Sequence, residues 1–182
     1  MAVGAAAGAT CGIWVGRVYQ EQTIRWTRVS CPLSAALLAV SFGTSGSAGE
    51  FTAGGMCSAG TYGMVSSTDG MNWTDQSFAA ACTTNVSRMD YIPVANKFVM
   101  MPATAVQSLF LRPLSGGWAT SPAATGWGTN PLDLAVGETV TGTVPRVFVA
   151  GKGGGTVLRV TAFDDTLAAT PIHSSPDPLG GT

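Results

Sequence analysis

The sequence predicts an all-β protein made of about four similar units, each built from four short antiparallel strands. The first observation is a repeat, because Trp26, Trp73 and Trp118 are 47 and 45 residues apart. The second is that a loop rich in small or polar residues follows each tryptophan, and apolar runs of strand length follow the loop. The third is that no window keeps apolar residues at helical spacing. A period of this length indicates repeated supersecondary units.

The repeats fall near residues 26–72, 73–117 and 118–167, inside a repeat domain that spans residues 1–167. Each repeat holds three apolar runs. The first runs are 37–42, 89–92 and 132–136, the second begin at Phe51, Phe98 and Phe148, and the third are 62–65, 109–111 and 157–160. With a fourth strand near the tryptophan, each repeat has the strand count of a propeller blade. We therefore expect a small β-propeller-like domain of about four blades.

Both ends of the chain are predicted to depart from this pattern. Residues 2–4, 12–16 and 23–26 align with the second, third and fourth strands of a unit, so the first blade is split and lacks its first strand. Residues 168–182 contain three prolines and are predicted to form an extended C-terminal tail. The missing strand could come from the same chain, which gives a monomeric four-bladed ring, or from a partner chain, which gives part of a larger ring.

One stretch predicts a hairpin turn in detail. Ser67, Asp69, Gly70 and Trp73 follow an apolar run, and Asp-Gly supplies a carboxylate for backbone amides and a residue that tolerates positive φ. The pattern Ser-x-Asp-Gly-x-x-Trp resembles the Asp-box of sialidase-like and phage-encoded propeller repeats. The resemblance implies a structural motif in which the aspartate accepts amide hydrogen bonds inside the turn.

The same resemblance implies that the repeat tryptophans, Trp26, Trp73 and Trp118, pack between neighbouring sheets and are buried. The corresponding turns of the later repeats have lost the motif. They read Leu-Ser-Gly-Gly-Trp at 114–118 and Phe-Asp-Asp-Thr at 163–166. Trp14 and Trp127 lie outside the repeated position, so they are candidate binding or interface residues, with packing inside their own blade as the alternative.

No metal or cofactor is expected from the cysteines and the histidine. Cys11, Cys31, Cys57 and Cys82 have no Cys-x-x-Cys spacing, and His173 lies in the proline-rich tail. The favoured interpretation is four free buried thiols, which behave as small hydrophobic residues. The alternative is disulfide formation after release from the cell, and the sequence does not fix a pairing.

Catalytic patterns are weak, so we expect no enzymatic activity. Residues 151–156 lack the spacing of a phosphate-binding loop and fit a hairpin turn better. Asp164 and Asp165 lie at a turn position, where backbone capping explains both carboxylates. Sialidases use an arginine triad and a nucleophilic tyrosine, and the arginines of this chain show no recognisable triad motif.

Composition favours protein contacts over other partners. Only 10% of the 182 residues are charged and the net charge is -1, which leaves no electrostatic footprint for nucleic acid or membrane. The mean hydropathy of +0.29 is high for a solitary soluble domain, so we expect apolar surface to be covered in an assembly. The N-terminus lacks a secretory signal pattern, and the apolar stretch 33–42 is too short to span a bilayer.

Short Asp-box repeats with few charges are similar to those of tailed-phage virion proteins. The resemblance implies a non-enzymatic structural component of a virion, such as a tail, collar or head-decoration subunit, made in the host cytoplasm. Its expected partners are other virion proteins or copies of itself. The alternative is a propeller lectin module that binds a cell-surface glycan or receptor, with Trp14 or Trp127 as a stacking residue.

Overall fold

The computed structural model describes residues 2–6, 10–18, 23–103, 109–120, 130–138, 145–152, 158–164, 166 and 173–176. These residues form β-strands and a single 3₁₀ turn, Pro93–Ala95, and they include no α-helix. The prediction of an all-β protein is therefore confirmed for the described part of the chain. Each apolar run that the sequence analysis assigned to a strand overlaps a strand of the structure.

The strands form four antiparallel sheets in chain order, and none of the sheets is closed. The first sheet contains β1 (Ala2–Ala6), β2 (Thr10–Val18) and β3 (Ile24–Val29). The second contains β4 (Leu37–Ser45), β5 (Ala48–Ser58), β6 (Thr61–Ser67), β7 (Thr74–Asp75) and β8 (Phe78–Ala79). The third contains β9 (Val86–Ile92), β10 (Lys97–Pro102), β11 (Phe110–Pro113) and β12 (Ala119–Thr120). The fourth contains β13 (Asn130–Glu138), β14 (Pro145–Lys152), β15 (Leu158–Phe163) and β16 (His173–Pro176).

Consecutive sheets are packed against each other through separate apolar clusters. The cluster between the first and second sheets contains Cys11, Ile13, Leu37, Ala53 and Val65. The cluster between the second and third contains Tyr62, Met64, Cys82, Val86, Met89, Met100 and Phe110. The cluster between the third and fourth contains Ile92, Val99, Met101, Leu109, Leu134, Val147 and Phe163. The core is therefore divided among three interfaces between sheets.

The first strands of the sheets lie next to one another. β1 contacts β4, β4 contacts β9, and β9 contacts β13. In β4, β9 and β13, the pairing with the second strand of the sheet skips one residue. The skipped residues are Leu38, Ser87 and Leu132. A β-bulge of this kind adds an unpaired residue and strengthens the local twist. The bulges give a structural reference point that the three sheets share.

Counting from the bulges corrects one of the sequence alignments. Phe51 and Phe98 pair with residues four positions beyond their bulges, but the residue in that place in the fourth sheet is Val147. Phe148 is displaced by one residue, and a one-residue shift turns a side chain to the opposite face. Val147 is accordingly buried, whereas Phe148 is 36% exposed. The recurrence of phenylalanine at the start of the second run was therefore misleading in the last repeat.

The first sheet also differs from the prediction. The sequence analysis placed residues 2–4 in a second strand and removed the first strand of the unit. In the structure Ala2–Ala6 forms β1, which contacts β4 as the first strand of a sheet does. The strand that the first sheet lacks is the outer, fourth one. The physical reason is a short connection, because only residues 30–36 link β3 to β4, whereas residues 68–85 link β6 to β9.

The predicted tail, residues 168–182, is partly a strand. His173–Pro176 forms β16 and pairs antiparallel with β15 at the edge of the fourth sheet. Proline is tolerated on an edge strand because one side of that strand makes no ladder hydrogen bonds. The tail therefore completes its own sheet.

The expectation of free thiols is wrong, since all four cysteines form disulfides. Cys11 is bonded to Cys31, and Cys57 is bonded to Cys82. Each bond joins the second strand of a sheet to the segment that leads to the next sheet. The spacings of 20 and 25 residues carry no recognisable motif, and this is why the sequence did not fix the pairing.

Candidate functional site

The Ser67–Trp73 turn is organised by one carboxylate. Asp69 Oδ1 accepts hydrogen bonds from the amides of Met71 at 2.7 Å and Asn72 at 2.8 Å, and Asp69 Oδ2 accepts one from Asn72 Nδ2 at 2.7 Å. Ser67 Oγ accepts the amide of Gly70, whose φ is +73°. The hydrogen bonds, led by that of the Asn72 amide, hold the pKa of Asp69 well below its usual range. The predicted bonding of Asp69 within its own turn is confirmed, and the loop between β6 and β7 has six residues.

Trp73 packs against the cluster between the first and second sheets, but it is partly buried where the sequence analysis expected full burial. Its indole Nε1 donates to the carbonyl of Gly70 at 3.0 Å, and its side chain contacts the cluster between the first and second sheets. Trp118 occupies the same place in the third sheet and stacks on Phe78 of the second sheet, with ring centroids 5.9 Å apart. Both side chains are partly buried. Their role is therefore structural packing between sheets.

The turn before Trp118 has lost its own aspartate, and a carboxylate from another sheet replaces it. Glu50 of β5 accepts the amide of Ser115 at 2.8 Å and the Nη2 group of Arg112 at 2.7 Å. Arg112 Nε also donates to the carbonyl of Gly116 at 2.6 Å. The ion pair is buried, and it joins the second and third sheets. The sequence analysis missed both residues because 62 positions separate them.

Burial alone would raise the pKa of Glu50. The Arg112 guanidinium and the Ser115 amide outweigh this effect and lower its pKa below the ordinary value. The Glu50 carboxylate is therefore charged, and it bonds the second sheet to the third.

Trp26 does not share the position of the other two tryptophans, so the prediction that it is buried between sheets is wrong. It lies inside β3 and is 52% exposed. Its neighbours on the paired strand explain the conformation. Trp26 is opposite Gly16, and a methyl group on Gly16 would lie 3.0 Å from the indole ring. The indole therefore covers the glycine and leaves its other side open.

Trp26 belongs to an exposed surface on the first sheet that we call the outer face. The register of β2 and β3 places Trp14 opposite Arg28, Gly16 opposite Trp26, and Val18 opposite Ile24. Directly opposed residues share a face, so the outer face consists of the following side chains: Trp14, Val18, Ile24, Trp26 and Arg28. The Arg28 guanidinium lies 5.9 Å from the centre of the Trp14 ring.

The two faces of the first sheet have different surroundings. Cys11 and Ile13 point to the other face and are buried against the second sheet. On the outer face, Val18 is 73% exposed and Ile24 is 51% exposed. Several large apolar side chains exposed next to one another often mark a surface that binds another molecule. Both sets of alternating positions in this hairpin contain apolar residues, and this is a sequence signal for a second apolar face. It could be recognised only once the register of β2 and β3 was known.

The remaining candidate residues lie in a turn, in strands or outside the described residues. Trp127 and Asp165 lie outside the described residues. Asp164 accepts the amide of Thr166 at 2.9 Å, which is the turn bonding that the sequence analysis favoured. Gly151 and Lys152 lie in β14 and pair with β15, and residues 153–156 lie outside the described residues. The backbone of His173 lies in β16.

The described residues contain no group of three or more His, Cys, Asp or Glu side chains suited to a metal ion. Within the same part of the chain, no helix has the length and hydropathy needed to cross a membrane. Two shallow clefts lie beside the segment 30–36. One is lined by Leu33, Met56 and small or hydroxyl side chains, and the other lies beside the Cys11–Cys31 bond and Arg28. Neither cleft contains a carboxylate or an imidazole.

Comparison with known proteins adds no relative. No protein-family model matches the chain, and no curated protein matches its sequence.

Proposed function

We propose that the protein is a non-enzymatic structural subunit of a bacteriophage virion that binds other proteins through the outer face of its first sheet. The observation that carries the proposal is the contrast between this face and the equivalent faces of the later sheets. Those faces are packed against a preceding sheet, whereas no side chain of the outer face belongs to an apolar cluster among the described residues. Apolar surface of this kind is stabilised when a partner covers it.

A propeller-like arrangement of the sheets is part of the proposal. Its support is the order of the sheets, the contact between successive first strands and the bulge that three of those strands share. In such an arrangement each sheet covers the next, and the end sheets remain open until the ring closes or a partner is bound. Counted from the bulges, Phe148 of the fourth sheet is the counterpart of Val99 in the third. Val99 packs against the following sheet, whereas Phe148 is exposed.

The two disulfides are compatible with a particle that acts outside the cell. Disulfides persist in oxidising surroundings and are rare in a reducing cytoplasm. A subunit assembled in the host would acquire them after release. The virion assignment itself depends on the sequence resemblance of the Ser67–Trp73 turn and on the low charge.

A glycan-binding function remains the second candidate because Trp26 offers a flat exposed ring. Small-molecule sites combine an apolar wall with several placed polar groups. Among the side chains that the structure describes on the outer face, Arg28 is polar and the others are apolar, and this favours a protein partner over a sugar.

The proposal is tested by association of the purified chain and its Trp26→Ser variant. Light scattering should show concentration-dependent association, alone or with virion proteins, that Trp26→Ser weakens at least tenfold. Thr27→Ser is the matched control, since it changes an exposed side chain on the opposite face of the same strand. A monomer at high concentration that joins no virion protein and binds one sugar class on a glycan array would contradict the proposal and favour the lectin.

A further inference from the structure

The turn from Ser67 to Trp73 contains the one Asp-Gly pair of the chain, Asp69–Gly70, and Asn-Gly does not occur in the sequence. In peptides, an aspartate followed by glycine isomerises faster than one followed by a bulkier residue. The reason is that glycine has no side chain to hinder the approach of its amide nitrogen. The sequence therefore singles out Asp69 as the position where the main chain would be modified first.

The reaction takes place between two neighbouring groups and needs only water. The Gly70 nitrogen attacks Cγ of Asp69 and closes a five-membered imide, and one carboxyl oxygen leaves as water with the carboxyl proton and the amide proton. Water then adds to the main-chain carbonyl carbon of Asp69 and breaks its bond to the Gly70 nitrogen. The main chain now runs through the Asp69 side chain, and the product, an isoaspartate, has the mass of the original protein.

The attacking amide is held by the Ser67 hydroxyl. The Gly70 amide donates a hydrogen bond to Ser67 Oγ at 2.9 Å, and the Asp69 amide donates one to the same oxygen at 3.3 Å. The hydroxyl proton is donated to Asp69 Oδ1 at 3.0 Å. A serine hydroxyl has one proton and two lone pairs, so all its bonding capacity is used here. Because Gly70 is buried, the proton that its nitrogen must lose in the attack is shielded from solvent.

The carboxyl group that would be attacked is held in its unreactive form. Asp69 Oδ1 accepts the amides of Met71 and Asn72, and Asp69 Oδ2 accepts Asn72 Nδ2. These bonds, led by that of the Asn72 amide, keep the pKa of Asp69 well below its usual range. Ring closure uses the protonated carboxyl group, whose oxygen can leave as water. The folded turn therefore contains less of the reactive form than an unfolded chain, where the pKa is about 4.

We infer that Asp69 is a latent isomerisation site of this protein and that the Ser67 hydroxyl keeps it unreacted while the turn is folded. Ser67 thus has a role beyond the shape of the turn, because it blocks a reaction of the neighbouring main chain. The inference is independent of the proposed function, since no residue of the outer face takes part in it.

The modification would affect the packing between the first and second sheets through Trp73. The indole Nε1 of Trp73 donates to the Gly70 carbonyl at 3.0 Å, and the ring packs against the cluster that the two sheets share. Isoaspartate adds one methylene to the main chain directly before Gly70. The added atom displaces the Gly70 carbonyl from the indole, so we expect the contact of Trp73 with the cluster to loosen.

The test measures isoaspartate at position 69 by peptide mapping of the full chain after storage for weeks near neutral pH. A synthetic peptide with the sequence of residues 66–73 gives the unprotected rate. The wild-type chain should react at least about tenfold more slowly than the peptide, because the reaction has to wait for the turn to open. Ser67→Ala should react about fivefold faster than the wild type, as expected for the loss of a hydrogen bond. Ser67→Thr retains the hydroxyl and should stay near the wild-type rate.

Two control variants separate this protection from stability in general. Thr68→Ala changes an exposed neighbour of Asp69 and should react at the wild-type rate. Val99→Ala shortens a buried side chain in the cluster between the third and fourth sheets. It should lower the free energy of unfolding without raising the rate at Asp69.

Four results would overturn the inference. A wild-type rate equal to that of the peptide would mean that the folded turn gives no protection. Equal rates in the wild type and in Ser67→Ala would show that the hydroxyl is not the protecting group. Equal acceleration in Val99→Ala and Ser67→Ala would show that general unfolding controls the reaction. If Ser67→Ala does not fold, hydrogen exchange of the wild-type chain decides, and a Gly70 amide that exchanges as fast as in the peptide is the fourth such result.

Discussion

The first and second sheets use the same construction and end in different environments. Both carry a disulfide from the second strand to the following connection, Cys11–Cys31 in the first and Cys57–Cys82 in the second. The second sheet is covered on both faces, by the clusters that it shares with its two neighbours. The first sheet is covered on one face. The comparison teaches that burial in this protein depends on a neighbouring sheet and is not a property of the strand's own sequence.

The largest effect is expected where the second sheet meets the third. Arg112→Met leaves the buried Glu50 carboxylate without its cation, so the free energy of unfolding should fall by about 3–5 kcal/mol. The control is Arg88→Met, which removes an exposed pair with Asp133 and should cost about 0–1 kcal/mol. Urea unfolding measures both. Equal losses of stability would show that the buried Glu50–Arg112 pair contributes no more than the exposed Arg88–Asp133 pair.

The next effect separates the two disulfides. Replacing either pair of cysteines by serine should cost about 3 kcal/mol, because the closed loops are similar in length. The two variants should differ in which part of the molecule is destabilised. Without the Cys11–Cys31 bond, hydrogen exchange should speed up in β1–β3 alone, since only one face holds that sheet. Exchange that speeds up throughout the molecule in both variants would break the comparison.

A smaller effect compares the two faces of the first sheet with the same substitution. Ile13→Ala removes a buried side chain from the cluster shared with the second sheet and should cost about 2–3 kcal/mol. Ile24→Ala lies on the outer face and should change the stability of the isolated chain by less than about 0.5 kcal/mol. Thermal unfolding of the two variants provides the measurement. A large loss for Ile24→Ala would mean that its own chain covers the outer face.

The smallest effect concerns the exposed turn of the second sheet. Asp69→Ala should lower stability at neutral pH, because the wild-type carboxylate binds two backbone amides. The folded-state pKa of Asp69 is depressed, so its contribution is complete above the unfolded-state pKa of about 4. As the pH falls below that value, the contribution declines, and the difference between wild type and variant should shrink. A difference that grows in acid would be inconsistent with this turn.

The local signals of the sequence predicted the all-β class, the positions of the strands and one turn. Apolar runs bounded by turn residues located the strands, and the Asp-Gly pair located a turn whose hydrogen bonds are those expected of it. These predictions depend on residues close together in the chain.

The remaining features depend on distant residues. The Glu50–Arg112 pair and both disulfides form only after sheets are packed, so no short pattern announces them. The place of Trp26 was mispredicted because the spacing of tryptophans is preserved while the surrounding connection is shorter. The outer face required the register of β2 and β3, which fixes which side chains share a surface.

The most direct test of the account is the exposure of Trp26 before and after assembly. Hydroxyl-radical footprinting should label Trp26 readily in the free chain and several-fold less in the associated state. Trp73 is the internal control, since its contacts lie within the chain and its labelling should not change. Protection of Trp26 with constant labelling of Trp73 is the predicted result. Trp26 labelled equally in both states would contradict the claim that the outer face binds a protein.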